Sequence, residues 1–77
     1  MTEFKAHEDI IRKIVLITDD TFATCSNDQL IKIWDMKGNN LCTIPGHDSL
    51  IYALAYHPLG YLISGGEDAY LKIWKND

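Results

Sequence analysis

The chain is one sequence unit written twice, 40 residues apart. His7, Thr24, Asp28 and Trp34 recur as His47, Ser64, Asp68 and Trp74. Ile11, Lys32 and Ile33 return unchanged as Ile51, Lys72 and Ile73. Ile10/Leu50, Ile14/Leu54, Phe22/Leu62 and Ile31/Leu71 keep their apolar character in the same register. Self-similarity at a fixed period marks a repeat architecture, and a period of roughly 40–45 residues is that of a propeller blade. Units of this kind build binding platforms, and they need neighbours to cover their faces.

With 77 residues, the chain has at most one small domain. A core of that size is marginal without a staple or covering neighbours. Cys25 and Cys42 lie in expected strands at non-equivalent positions of the two units. Neither belongs to a CxxC pair, so they read as free thiols of a reducing compartment, with no zinc site. The net charge of −4, from 7 basic and 11 acidic residues, argues against a nucleic-acid footprint, which needs a clustered positive face. No apolar run approaches the roughly 20 residues that cross a bilayer. Met1–Ala6 carries Glu3 and Lys5 and lacks the apolar stretch of a secretory leader. The expected location is cytosolic or nuclear.

Short segments rich in β-branched and aromatic residues, separated by polar turns, predict an all-β chain. Strands are expected at about 3–5, 10–17, 22–26, 30–34 and 40–44, then at 50–56, 61–64 and 70–74. The runs Ile14–Ile17 and Leu30–Ile31 do not alternate cleanly, as expected of strands covered on both faces.

The repeated His, Thr/Ser, Asp and Trp have a common physical purpose. A buried His needs a partner for each ring nitrogen, and a buried Trp needs an acceptor for its indole N–H. Asp accepts from the His and from amides of its own tight turn, and Ser/Thr bridges His to Trp. The segments SNDQLIKIWD (Ser26–Asp35) and GHDSLIYALAYHPLGYLISGGEDAYLKIWK (Gly46–Lys75) resemble WD-repeats. That resemblance implies two repeats of a partial β-propeller with four-stranded antiparallel blades. Its structural tetrads map onto His7, Thr24, Asp28, Trp34 and onto His47, Ser64, Asp68, Trp74. Ala6 departs from the usual Gly before the first His, and Lys75 from the Asp of the Trp-Asp pair, which Asp35 supplies in the first unit. A His–Asp–Ser/Thr hydrolase is the competing reading. It fails because the set occurs twice at a structural period, with a Trp each time and no nucleophile elbow. His7, His47 and His57 lie on separate turns and make a poor metal set. No cofactor is expected, and the chain is read as non-catalytic.

His7–Asp28, Gly46–Gly60 and Ile63–Lys75 further resemble late adjacent blades in the phospholipase A-2-activating protein family and its fungal counterparts. That resemblance implies ubiquitin binding by the propeller's top face. It also implies a partnership with the valosin-containing-protein segregase ATPase through regions outside this chain. WD-repeats present on that face the residues three and five past the His and the residue before the turn Asp. These are Ile10, Arg12 and Asn27, then Leu50, Tyr52 and Glu67. A generic scaffold of another complex, such as an E3 ligase adaptor or an RNA-processing assembly, is the alternative.

The expected layout has 1–6 as the last strand of a preceding blade, 7–45 as the first repeat, and 46–77 as a second repeat lacking its final strand. Propellers close with about 4–8 blades. Two readings follow: a piece of a longer protein, or several copies closing a ring. Three copies would give six blades and four would give eight.

Overall fold

The structure is a computed structural model and describes residues 1–75. Asn76 and Asp77, the end of the expected second repeat, lie outside the described residues. Seven strands alternate with tight turns: β1 (Ile11–Leu16), β2 (Thr21–Ser26), β3 (Leu30–Asp35), β4 (Asn40–Pro45), β5 (Ile51–His57), β6 (Tyr61–Gly66) and β7 (Leu71–Lys75). All pairings are antiparallel and sequential, giving one sheet of order β1-β2-β3-β4 and one of order β5-β6-β7. Among the described residues the chain is all-β, with one blade of four strands and one of three.

Residues 3–5, expected as a strand of a preceding blade, join neither sheet of this chain. A strand needs a neighbour to take its backbone hydrogen bonds, and a preceding blade would supply it. Side chains hold the segment instead. The Phe4 ring lies 4.9 Å from that of Trp34. Lys32 Nζ donates to the Ala6 carbonyl at 3.0 Å. Gly38 makes room with φ of 91°, since a Cβ there would meet Phe4 Cδ1 at 3.1 Å.

Strand alternation sorts each sheet into two faces. In the first sheet Val15, Ala23, Ile33 and Cys42 pair across one face, while Leu16, Phe22 and Trp34 pair across the other. In the second sheet Tyr56, Leu62 and Trp74 share one face, and Ala55, Ile63 and Ile73 the opposite one. The core is the seam between the sheets. Ala23, Cys25 and Ile31 meet Ile51, Leu54 and Leu62, with Val15, Ile33, Ile44, Tyr56 and Trp74 packed around them. The sheets come together where β5 lies against β1 and β2. Burial holds the Cys25 thiol at a pKa of about 11, and its S–H points to the Ile51 carbonyl across the seam at 3.7 Å. Cys25 and Cys42 are both free.

The β2–β3 and β6–β7 connections, of three and four residues, share one design. Gln29 N–H donates to the Ser26 carbonyl at 3.2 Å, and Ala69 N–H to the Gly66 carbonyl at 3.1 Å. Gln29 and Ala69 then take positive φ, 74° and 68°. A turn followed by one left-handed residue is a standard three-residue hairpin solution. For an L-residue that conformation costs about 1–2 kcal/mol. Ala69→Gly removes the Cβ responsible and is expected to raise unfolding stability in urea by about 1 kcal/mol, less what glycine loses in chain entropy. A fall in stability would contradict the left-handed loop.

Candidate functional site

Each unit carries one directed hydrogen-bond chain running from its third strand to its opening turn. Trp34 Nε1–H donates to Thr24 Oγ1 at 3.0 Å. Thr24 Oγ1 lies 2.6 Å from His7 Nε2, and His7 Nδ1 lies 2.8 Å from Asp28 Oδ2. The second unit repeats it: Trp74 to Ser64 at 3.0 Å, Ser64 to His47 at 2.8 Å, and His47 to Asp68 at 2.9 Å. Proton positions follow from counting donors. The carboxylate only accepts, so Nδ1 carries the proton, and Nε2 then accepts the single hydroxyl proton of Thr24 or Ser64. The hydroxyl oxygen keeps a lone pair for the indole. No buried side-chain nitrogen or oxygen among the described residues is left without a partner.

The turn Asp also holds its own loop. Asp28 Oδ1 accepts the Leu30 amide at 3.0 Å and Oδ2 the Glu8 amide at 3.2 Å. Asp68 Oδ1 accepts the Tyr70 amide at 3.0 Å. Burial alone raises the Asp28 pKa. The His7 bond and the two amides outweigh it and hold the carboxyl below its ordinary value. Asp68 is held low chiefly by the Tyr70 amide and then by His47. Asp35 plays a similar part in the β3–β4 turn, accepting the amides of Lys37 and Asn39, each at 2.9 Å. This role belongs to the first unit, since Lys75 stands at the matching place.

These contacts decide what the constellation can do chemically. Thr24 and Ser64 are buried, and each hydroxyl is held between indole and imidazole. Their oxygens face structure rather than a substrate. His7 and His47 have both ring nitrogens engaged, and His57 Nδ1 accepts the Leu59 amide of its own turn at 3.2 Å.

The opposite role falls to Ile10, Arg12, Asn27, Leu50, Tyr52 and Glu67. The first ladder of each sheet slips register at one place, between Ile11 and Lys13 and again between Ile51 and Ala53. Arg12 and Tyr52 are the residues inside these irregularities. A bulge re-aims the side chain it carries, and these two turn toward each other across the seam. The Arg12 guanidinium lies 5.5 Å from the centre of the Tyr52 ring. Its Nε donates to Asn27 Oδ1 at 2.8 Å. The Tyr52 hydroxyl donates to Glu67 Oε2 at 3.1 Å, and Ser49 donates to Glu67 Oε1 at 2.9 Å. Partial burial, followed by the Glu67 carboxylate, raises the Tyr52 pKa, so its phenol stays a donor. Ile10 is exposed and Leu50 half-buried beside this group, and their carbonyls accept the Asn27 and Glu67 amides at 3.0 and 2.9 Å. Four of the six residues thus form one polar chain over two blades, with two aliphatic residues flanking it. Ser49, which fixes Glu67, was not among the expected residues. The apolar doublets Ile10-Ile11 and Leu50-Ile51, which interrupt strand alternation, are the sequence signal for the bulges.

The network generates two predictions. Thr24→Val keeps the shape but orphans His7 Nε2 and Trp34 Nε1, and it is expected to cost about 2–5 kcal/mol by urea unfolding. A second follows from Asp28 and Asp68, whose folded pKa values are lowered. Their stabilisation is complete above the ordinary carboxylate range and is lost as pH falls through the lowered values. Melting temperature is therefore expected to drop on acidification below about pH 4, and Asp28→Asn is expected to flatten that limb while lowering the plateau. An unchanged acid limb in Asp28→Asn would contradict the assignment.

Comparison with known proteins identifies the architecture. The family profile described as "WD domain, G-beta repeat" matches residues 1–35 and again 38–75. The ubiquitin homeostasis protein lub1 of Schizosaccharomyces pombe is 42% identical over 71 residues, covering 91% of this chain and 10% of lub1. The nuclear distribution protein nudF of Aspergillus flavus is 50% identical over 56 residues, covering 71% of this chain and 12% of nudF. The chain thus spans about a tenth of these curated relatives' length. Among solved structures, the WD40 β-propeller domain of Doa1 superposes with a TM-score of 0.85 at 41% identity, covering 90% of this chain and 24% of that one. The computationally designed Ika4 protein gives 0.83 at 26% identity, covering 95% of this chain and 45% of that one. Two matched repeats, two sheets of blade topology and two His-to-Trp hydrogen-bond chains make this chain a member of the WD-repeat family.

Proposed function

We propose that the chain is part of a non-catalytic interaction scaffold whose top face binds ubiquitin. The Arg12–Tyr52 pair is the observation that carries this reading. A cation stacked on a ring, tied down by Asn27 and Glu67 and flanked by Ile10 and Leu50, is the composition of an interface anchor. Because the side chains are held before binding, little ordering entropy remains to be lost. The likeness to a ubiquitin homeostasis protein supports ubiquitin as the partner. Exposed Glu8, Asp9, Asp48 and Glu67 around the face favour a partner whose apolar patch has a basic rim.

In this reading residues 1–6 belong to the outer strand of a preceding blade, and the scaffold works in the cytosol or nucleus. Service to a segregase ATPase falls to regions beyond this chain. A second reading is a scaffold of another complex, favoured by the identity to nudF.

Titration calorimetry of ubiquitin into the propeller that contains this unit separates the two. Tyr52→Ala is expected to weaken ubiquitin binding at least about tenfold, the loss of a central aromatic anchor. Unchanged affinity would remove Tyr52 from the interface, and no binding by the unaltered propeller would favour the second reading.

A further inference from the structure

We propose that Arg12 is the receptor for one carboxylate of the bound partner. This rests on the ubiquitin reading and names the polar contact that would orient ubiquitin on the face. The two blades fill one position differently. Arg12 and Tyr52 are counterparts at the 40-residue period, and so are Asn27 and Glu67. In each blade the first side chain donates to the second: Arg12 Nε to Asn27 Oδ1 at 2.8 Å, and the Tyr52 hydroxyl to Glu67 Oε2 at 3.1 Å. The neutral phenol thus faces a carboxylate, while the cation faces a neutral amide. Asn27 fixes the guanidinium without cancelling its charge.

Nothing nearby cancels it either. Glu67 is committed twice, since its other oxygen accepts Ser49 at 2.9 Å. Among the described residues the ion pairs are Lys5–Glu8, His7–Asp28 and His47–Asp68, and none includes Arg12. A cation without a carboxylate is a distinct choice in a chain of 7 basic and 11 acidic residues. Its neutral acceptor belongs to its own blade, and the ring it stacks on to the adjacent one, so both supports are built into this chain.

The geometry suits a carboxylate. A guanidinium is a planar fork of five N–H donors. Asn27 takes the Nε–H, and the Tyr52 ring centre lies 5.5 Å from the guanidinium carbon. The donors on the two Nη atoms remain, and a pair of them binds a carboxylate through two parallel hydrogen bonds. Arg12 is exposed, and Ile10 beside it is 57% exposed. A carboxylate can therefore meet the fork while apolar surface of the partner settles on Ile10 and Leu50. Charge selects a carboxylate over a phosphate. Glu8, Asp9, Asp48 and Glu67 around the face oppose a dianion more than a single negative charge.

Titration calorimetry of ubiquitin into the propeller that contains this unit supplies the test. Arg12→Gln is expected to weaken binding about tenfold or more. Arg12→Lys keeps the charge without the fork and is expected to recover only part of that loss. Asn27→Asp separates charge from support: it leaves the guanidinium held but neutralises it from within, and is expected to weaken binding up to about fivefold. A role limited to propping the Tyr52 ring would leave Asn27→Asp unchanged. Ubiquitin variants then locate the carboxylate, with each aspartate and glutamate changed singly to its amide and the terminal carboxylate amidated. One of them is expected to lose as much as Arg12→Gln, and to cost less than about twofold more when combined with it. Coupling to terminal amidation assigns the partner's C-terminus, and coupling to a side-chain amide assigns that side chain. Coupling to none of them, or full binding by Arg12→Gln or by Asn27→Asp, would overturn the proposal. No binding by the unaltered propeller would overturn the ubiquitin reading and this proposal with it.

Discussion

The rest of the structure depends on one hydrogen-bond chain, Trp to Thr or Ser to His to Asp, made once per unit. A two-blade chain has little core of its own, and its loops would be loose without polar anchoring. The chain runs from β3 or β7, through β2 or β6, to the turn that opens the unit, and so ties three parts of a blade at one point. The buried imidazole makes both bonds at 2.6–2.9 Å in both units. Removing any member leaves others buried without partners, and that penalty exceeds the net worth of a satisfied bond.

This anchoring also positions the candidate binding face. The turn held by Asp28 or Asp68 places Asn27 and Glu67, which hold Arg12 and Tyr52. The paired bulges aim those two residues out of the sheets and toward each other. Structural residues and candidate binding residues are therefore neighbours in sequence but opposed in chemistry. One set is buried and satisfied internally, and the other keeps exposed aromatic, cationic and aliphatic surface in a fixed arrangement.

Much of this was legible in the sequence because a period of 40 residues aligns four distinctive residue types twice. Strand positions followed from the alternating apolar segments, and the His-to-Trp sets from the donors and acceptors that buried groups require. The segment 3–5 pairs with no strand of this chain, since the blade it is expected to complete lies outside it. Its apolar Phe4 covers Trp34. The apolar doublets Ile10-Ile11 and Leu50-Ile51 mark where the bulges at Arg12 and Tyr52 fall, but one extra residue in a ladder changes register without changing composition, so the aim of the two side chains needed coordinates. The link from Tyr52 through Glu67 to Ser49 joins residues up to 18 positions apart and needed coordinates to appear. Gln29 and Ala69, at matching places, show left-handed residues where no glycine advertises them.

Nitrogen NMR of the imidazole rings of His7 and His47 tests the network most directly. Protonated Nδ1 donating to Asp, with Nε2 accepting from Thr24 or Ser64, predicts a protonated-type signal for Nδ1 and an unprotonated-type signal for Nε2 in both rings at neutral pH. The reverse tautomer, or signals averaged as in a free histidine, would contradict the directed chain on which the two blades and their shared face depend.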